Sequence, residues 1–138
     1  MEFKRVLVPV VGSEADPEAM RLACRLAKKD KGKVWAVSVV TVKRALPLDA
    51  EIDSEIQNAE DVLDRVEQVA EEEDLEVETD VIQARDAGPA IIDEAVERAV
   101  DLILIGFTYK RRFGQFSVGS VVPYVLKNSP CPVILYQQ

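Results

Sequence analysis

The sequence predicts an α/β domain in which helices cover both faces of a parallel β-sheet. Apolar runs alternate with amphipathic helical segments along all 138 residues, which is the pattern of strands joined by right-handed helical crossovers. The first run, residues 5–11, is rich in valine and does not alternate with polar residues, which is typical of a strand covered on both faces. The hydrophobic content of 48% is enough for one core, so we expect a single domain over residues 1–138.

The same patterns place the individual elements. After the first strand, Asp16 and Pro17 predict a helix with Asp16 as the N-cap and Pro17 at the first helical position, ending near Gly32. Further strands are expected at 34–42, 75–81, 102–105 and 133–136, and the third of the five strands alternates with acids, so it should lie at or near a sheet edge. Further helices are expected at 52–70, from Gly88-Pro89 onward, and at 120–127. In the helix after Gly88 the predicted inward residues are Ile92, Ala95, Val96 and Ala99.

Composition excludes several function classes. A net charge of −8 argues against nucleic-acid binding by phosphate neutralisation. The absence of histidine removes Ser-His-Asp and Cys-His catalysis and the usual zinc sites. Cys24 and Cys131 form no CxxC pair and are interpreted as small buried hydrophobes in a reducing compartment. The first apolar run is too short to cross a membrane, so we expect a cytoplasmic domain without membrane insertion.

The segment from Leu102 to Ser120 carries the main functional signal. Four apolar residues lead into Gly106, a loop with Lys110, Arg111 and Arg112 follows, and Gly119-Ser120 opens an apolar helix. This order of strand, loop and helix start is how an α/β protein presents backbone N–H groups to a phosphate. Tyr109 stands where such a loop would most need a second glycine.

Other polar clusters are assigned no chemistry. The carboxylates between Glu51 and Asp80 fill positions away from the apolar stripe and are interpreted as a solvated helix exterior. Asp86 could in principle serve as an acid and Arg85 could hold an anion beside it. Both are interpreted instead as solvated turn residues before Gly88. Phe113 and Phe116 are expected to pin their loop to the body or to a dimer mate.

The chain as a whole resembles the universal stress protein family. The resemblance rests on residues 6–14 (VLVPVVGSE), 88–92 (GPAII), 101–106 (DLILIG), 118–121 (VGSV) and 129–133 (SPCPV). It implies a three-layer αβα sandwich with four helices and a five-stranded parallel sheet of order 3-2-1-4-5. It also implies a homodimer in which the last strands pair across a twofold axis, and the interface residues would then be Val133, Ile134, Leu135 and Tyr136.

The resemblance also implies a nucleotide site, with two departures. Family members that hold ATP carry Gly, two residues, Gly, nine residues, then Gly and Ser or Thr; this chain has Gly106, Tyr109, Gly119 and Ser120 in that register. Val11 stands where the binders usually have an aspartate facing the nucleoside, and Pro9 and Val39 match positions that would flank an adenine. The residues placed around a nucleotide are Pro9, Val10, Val11, Val39, Ile105, Gly106, Tyr109, Lys110, Gly119, Ser120 and Val121.

The leading interpretation is a non-catalytic, homodimeric stress-response domain with a degenerate nucleotide pocket that acts through protein partners. The first alternative is a switch that retains ATP or AMP, with Mg²⁺, at Gly106, Gly119 and Ser120; the sequence itself fixes no cofactor. A nucleotide hydrolase ranks low, because the chain has neither a P-loop lysine motif nor a GxSxG elbow. The chain could also be the cytosolic regulatory module of a membrane transporter.

Overall fold

The protein folds as an α/β sandwich. The computed structural model describes residues 1–108 and 120–138 with their side chains and residues 110–112 and 115–117 by their backbone. The strands are β1 (Arg5–Pro9), β2 (Lys33–Thr41), β3 (Val77–Ala84), β4 (Leu102–Phe107), β5 (Lys110–Arg112), β6 (Gln115–Ser117) and β7 (Val133–Gln137). The helices are α1 (Asp16–Lys29), α2 (Asp53–Glu72), α3 (Ala87–Glu97) and α4 (Val121–Asn128).

The main sheet has five parallel strands in the order β3-β2-β1-β4-β7. This confirms the predicted order and the edge position of the third strand. β1 pairs with β2 over five positions but with β4 only at Val6↔Leu102 and Leu7↔Ile103. The N–H of Val10 bonds the carbonyl oxygen of Val37 on the β2 side. Because N–H directions alternate along a strand, the backbone nitrogen of Pro9 faces β4, but proline has no N–H to donate. The two central strands therefore separate at their carboxyl ends, where the topology reverses.

Each face of the sheet has its own apolar core. On one face the even-numbered residues of β1, among them Val6 and Val8, pack against α1 and α2. On the other face Leu7, Ile103 and Ile105 pack against α3 and α4. Since full burial of such a side chain contributes about 1.5–3 kcal/mol, these two layers are the main source of stability.

The packed helices α1 and α2 are also joined by ion pairs at their surface. The guanidinium of Arg21 lies 2.9 Å from a carboxylate oxygen of Glu72 and 2.9 Å from one of Glu73. Arg25 lies 2.6 Å from the other oxygen of Glu73. The partly buried Glu73 carboxylate is therefore shared by two arginines, and the Arg25 hydrogen bond is the main reason that its pKa is lowered.

Two details of the helices differ from the sequence prediction. Asp16 is the first residue of α1 rather than its N-cap, which is Ala15. In the third helix Val96 is 62% exposed rather than inward. The helix ends at Glu97 and Ala99 has φ 50°, so Ala99 is exposed and the next residue, Val100, enters the core in its place.

The segment after β4 contains an antiparallel hairpin where the sequence predicted only a loop. Lys110, Arg111 and Arg112 form β5, whose partner is β6, with Arg111 opposite Phe116. Three consecutive cations have no strand-like alternation, and this is why pattern analysis did not find the hairpin. Tyr109, Phe113 and Gly119 lie outside the described residues.

The two cysteines should differ in reactivity. Burial raises the pKa of the Cys24 thiol to about 11, and its side chain is fully inaccessible. Burial also raises the pKa of Cys131, which is only partly buried. We therefore expect Ellman's reagent to label Cys131 slowly in the native protein and Cys24 only after unfolding. A Cys131→Ser variant gives the control, and rapid native labelling of that variant would contradict the buried position of Cys24.

The helices were also compared with the requirements of a membrane span. Among the described residues, no helix combines the length and the apolar composition that crossing a bilayer demands.

Candidate functional site

A cleft of about 290 Å³ opens at the carboxyl edge of the sheet. One side is made by the end of β1 and the following loop, and the other by the second half of β2 together with the first turns of α2 and α3. The lining residues are Pro9, Val10, Val11, Val37, Ser38, Val39, Val40, Thr41, Glu55, Asn58, Ala59, Val62, Ala87 and Ile91.

Four of the residues predicted from the sequence meet in this cleft. Pro9, Val10, Val11 and Val39 all line it. Pro9 and Val10 are buried, whereas Val11 is 60% exposed at the rim. They give the cleft an apolar floor and an apolar rim, which suits a flat, weakly polar group such as a heteroaromatic ring.

The other predicted residues that the structure describes lie outside the cleft. Ile105 is 2% exposed and belongs to the core under α3 and α4. Val121 is half-buried against the same core, and Ser120 is the exposed N-cap residue of α4 without a side-chain cap. Lys110 is known by its backbone, which pairs with Ser117. Tyr109 and Gly119 are outside the described residues.

Gly106 has a packing role that the sequence did not reveal. A Cβ atom built on Gly106 would lie 2.8 Å from the Cβ of Ala19 and 2.9 Å from the carbonyl oxygen of Ala15. Both distances are shorter than van der Waals contact, so α1 can cross β4 at this height only above a glycine. Gly106 therefore has a structural role whether or not a ligand contacts it.

The loop after β1 is organised by the carboxylate of Asp16. Its Oδ2 accepts the backbone N–H groups of Val11 at 3.1 Å, Gly12 at 2.8 Å and Ser13 at 3.1 Å. Gly12 has φ +81°, a left-handed conformation that costs glycine nothing and lets the chain turn back over the carboxylate. The side chain of Asp16 thus bonds the preceding loop rather than the helix start, and its neighbour Ser13 bonds the Ala15 N–H at 3.0 Å instead.

The Asp16 carboxylate is also deeply buried. The residue is 2% exposed, and its Oδ1 has no hydrogen-bond partner among the described residues. Burial raises the pKa of Asp16, an effect opposed by the three backbone hydrogen bonds and by the positive charge of Arg65. The loop's three N–H groups are consequently engaged by the protein's own anion.

Arg85 does not act as a solvated turn residue, as the sequence had indicated. Its Nη1 donates to the carbonyl oxygens of Val42 at 3.3 Å, Lys43 at 2.6 Å and Leu46 at 2.9 Å. Gln83 donates to the carbonyls of Leu48 and Ala50. Both side chains hold the 43–52 loop over the ends of β2 and β3. Arg85 therefore has a structural role, because its guanidinium bonds backbone carbonyls.

Sequence reasoning missed the polar residues of the cleft, which are Ser38, Thr41, Glu55 and Asn58. A signal for Ser38 was present, because it is a lone hydroxyl in the apolar run Val37-Ser38-Val39-Val40. No described lining residue is a lysine or arginine, and none forms a nucleophile–base pair. Among the described residues there is also no group of three or more carboxylates or cysteines placed to hold a metal ion.

Comparisons with known proteins agree with this architecture. The model of the universal stress protein family matches residues 2–137. The chain is 30% identical to the universal stress protein MJ0531 of Methanocaldococcus jannaschii over 142 aligned positions, which cover 99% of this chain and 83% of the relative.

Two solved structures of a universal stress protein from Archaeoglobus fulgidus are similar. One superimposes with a TM-score of 0.76 at 25% identity and covers 98% of this chain and 94% of the other. The second, a complex with dAMP, has a TM-score of 0.76 at 24% identity and covers 98% of both chains. The family match over nearly the whole sequence, together with the sheet order and the cleft at its reversal point, shows that this chain belongs to the universal stress protein family.

Proposed function

We propose that this chain is a non-catalytic stress-response domain whose nucleotide pocket is degenerate: the base side of the cleft persists, but the groups that hold sugar and phosphates are weakened. The observation that carries this proposal is the state of the loop after β1. Val11 places an apolar side chain at the rim where nucleotide-binding relatives usually carry an aspartate. The loop's own N–H donors are engaged by Asp16.

The loss of nucleotide-binding free energy can be approximated. An aspartate bonded to a ribose hydroxyl is worth about 1.5–3 kcal/mol, and Val11 cannot replace it. A non-glycine residue such as Tyr109, if its position requires a left-handed backbone, adds about 1–2 kcal/mol. A combined loss of about 3 kcal/mol weakens a micromolar site about a hundredfold.

Electrostatics acts in the same direction. The chain carries a net charge of −8, and the only ionisable side chain among the described cleft-lining residues is the carboxylate of Glu55. The described lining of the cleft therefore offers a polyphosphate no cation to attract it. The absence of histidine from the sequence and of a nucleophile–base pair from the described cleft supports a non-catalytic role. Phosphate release from ATP above a blank would contradict that role.

A second candidate function is a nucleotide-binding switch. It is favoured by the cleft itself, which lies at the sheet edge where dinucleotide and nucleotide ligands of α/β proteins bind, and by the dAMP complex of the Archaeoglobus fulgidus protein. Gly106, Gly119 and Ser120 would then contact the phosphates, with Mg²⁺ accompanying ATP.

Thermal unfolding with matched ligands separates the two functions. Adenosine, AMP and Mg-ATP are each added at about 1 mM. This is about a thousand times a micromolar Kd, which would stabilise an intact site by about 4.1 kcal/mol, but only about ten times a Kd weakened a hundredfold. A degenerate pocket predicts that Mg-ATP raises Tm no more than adenosine does, because the phosphates contribute no binding energy. A Tm several degrees higher with Mg-ATP than with adenosine would establish the switch instead.

We also propose that the domain acts as a homodimer through β7. This strand is an edge of the main sheet, and no further strand pairs with it among the described residues. An unpaired edge strand is a ready template for a second copy. Leu135 is 36% exposed on this strand, whereas Val133 is partly buried against the core, so a lysine at Val133 would disturb folding as well as pairing.

The dimer can therefore be tested with Leu135→Lys. We expect the wild-type chain to elute as a dimer and this variant as a folded monomer in size-exclusion chromatography with light scattering. The reason is that the twofold axis brings two lysines of like charge into the same interface, where they repel each other. Leu126→Lys is a matched control, since Leu126 is 52% exposed on α4 rather than on β7. A monomeric wild type, or a dimeric Leu135→Lys variant, would contradict the proposed interface.

A further inference from the structure

β3 forms the edge of the main sheet opposite β7, and no strand pairs with its outer side among the described residues. The carbonyl oxygen of Ala84 accepts the N–H of Val42 on the β2 side. Because backbone groups alternate in direction along a strand, the odd-numbered residues of β3 direct their N–H and C=O groups away from β2. Within the described part of the chain these groups have no partner; they belong to Val77, Thr79, Val81 and Gln83. β3 is therefore a free template for a further strand.

A row of carboxylates on α2 runs beside this free edge. The residues of this α2 acid row are Glu60, Asp64, Glu67 and Glu71. They follow one another at steps of four, three and four residues, so they lie on one side of the helix. The first two line a groove together with Thr79 and Val81, and the last two line another with Val77. All four side chains are exposed, and none forms an ion pair or a hydrogen bond among the described residues.

The acids on the opposite face of β3 are already engaged. Glu78 accepts the indole N–H of Trp35 at 2.7 Å. Asp80 lies 3.4 Å from the guanidinium of Arg98, which also pairs with Glu94 at 2.7 Å. Both carboxylates of β3 itself are thus used within the protein, whereas the α2 acid row carries unpaired negative charge along the edge.

The two faces therefore require different side chains from an added strand. Successive side chains of a strand point to opposite faces, and every second one recurs after about 6.6 Å. Neighbouring members of the α2 acid row are about 4.5–6 Å apart along the helix axis. A strand with a basic residue at every second position can pair these residues with the acid row. The residues between them would lie over the engaged acids of the other face and should be uncharged.

A second copy of this chain does not fit the same edge. Two copies paired through β3 across a twofold axis would bring two acid rows into one interface, where they repel each other. The net charge of −8 opposes any acidic strand in the same way and attracts a basic one. Charge complementarity therefore selects a basic partner.

We propose that the β3 edge and the α2 acid row form a docking site for an extended basic segment of a partner protein, which adds to the sheet as a sixth strand. Backbone hydrogen bonds to the outward groups of β3 hold the segment, and its alternate lysine or arginine side chains pair with the acid row. The site is separate from the cleft and lies at the sheet edge opposite β7. It goes beyond the proposed function, and neither depends on the other.

Two peptides of equal length and charge, both with blocked termini, test the docking mode. KVKTKTKVK alternates lysine with uncharged strand-forming residues, whereas KKVPPKVKK has two adjacent prolines, which remove an N–H from each side of an extended chain. Each peptide is titrated into the native protein and followed by NMR shifts of the backbone amides. We expect KVKTKTKVK to bind at least about tenfold more tightly, with the largest shifts in residues 77–83. Equal affinities, or no binding at millimolar concentration, would overturn the proposal.

Amide hydrogen exchange gives a readout that charge attraction alone does not move. At ten times its Kd, KVKTKTKVK should slow exchange of the outward N–H groups of Thr79 and Val81 about tenfold. The N–H of Asp80 is the internal control, because it faces β2 and is already bonded in the sheet. Binding without added protection at Thr79 and Val81 would rule out strand pairing.

Thr79→Pro tests the backbone contribution. Proline removes one outward N–H but no bond to β2, and an edge strand tolerates it in that position. We expect a folded variant that binds KVKTKTKVK about tenfold more weakly. A folded variant with unchanged affinity would contradict the proposal, and if the variant does not fold, the peptide comparison and hydrogen exchange on the native protein decide.

Neutralising the acid row tests the charge contribution. The triple variant Glu60→Gln/Asp64→Asn/Glu67→Gln should weaken KVKTKTKVK about tenfold. The matched control Glu2→Gln/Glu14→Gln/Glu97→Gln removes three exposed acids outside α2 and β3, so it changes the net charge equally and should weaken binding about twofold or less. Equal losses in the two triple variants would show that the peptide senses only the net charge, and would overturn the docking site.

Discussion

A Gly106→Ala substitution is expected to lower the free energy of unfolding by about 2–3 kcal/mol, and Tm by about 10 °C. The new Cβ would lie 2.8 Å from the Cβ of Ala19 and 2.9 Å from the carbonyl oxygen of Ala15. These are atoms of the first turn of α1 and of its N-cap, not the free end of a flexible side chain, so the whole helix start must move. Urea unfolding of the variant and the wild type measures the loss.

A double-mutant cycle tests the cause. Ala19→Gly alone should cost about 1 kcal/mol, because glycine is a poor helix former. Combined with Gly106→Ala it removes the Cβ–Cβ conflict, although the conflict with the Ala15 carbonyl remains. The double variant should therefore lose less free energy of unfolding than the sum of the two single losses. Strict additivity, or a Gly106→Ala loss below about 0.5 kcal/mol, would show that close packing is not what requires this glycine.

This expectation bears on how a motif glycine is interpreted. From the sequence, Gly106 was assigned to a phosphate cradle because it ends an apolar strand and precedes a basic loop. The structure gives it a packing role against α1, which is sufficient to explain a glycine even if phosphate binding is lost. A surviving motif glycine is therefore weak support for a surviving nucleotide site.

The sheet was predictable from the sequence because its strands are nearly continuous apolar runs and its edge strand β3 alternates. A continuous apolar run indicates a strand buried on both faces, and an alternating one indicates a strand with one face in solvent. These two patterns are enough to distinguish the central strands from the edge strand β3. The direction of an individual polar side chain is not periodic. Asp16 before a proline has the composition of an N-cap, yet its carboxylate turns back to the loop because three N–H groups converge there.

The cleft shows the same limit. Val11 and Val39 were located from the resemblance, but Glu55 and Asn58 come from the outer face of an acidic helix where carboxylates are abundant. Nothing in their spacing distinguishes them from the solvated residues beside them. Only the packing of the first turns of α2 against the end of β2 places them in the same cleft as Ser38.

Asp16→Ala is the second substitution with a large expected effect, a loss of about 2 kcal/mol in the free energy of unfolding. Three N–H groups lose one acceptor, while removal of a buried carboxylate offsets part of the cost. Asp53→Ala is the control: Asp53 is an exposed acid in the first turn of α2, and it should cost about 0.5 kcal/mol or less. If the two variants are equally stable, Asp16 acts on the helix dipole alone and does not organise the loop.

The same carboxylate predicts a pH dependence with a definite sign. Burial raises the pKa of Asp16 above its ordinary value of 3.8, against the opposing influence of the backbone N–H groups and of Arg65. Between 3.8 and the raised value the folded protein holds a proton that the unfolded chain has lost, so this residue's contribution to stability falls as pH rises through that window and is constant above it.

Asp16→Asn isolates this contribution, because it keeps an acceptor oxygen for the loop but cannot titrate. The wild-type free energy of unfolding minus that of Asp16→Asn should therefore decrease from pH 3.8 upward and then level off. Urea unfolding of both proteins at a series of pH values measures the difference. A difference that increases with pH would mean that the three N–H groups outweigh burial and that the ionised carboxylate is the form the loop is built to hold.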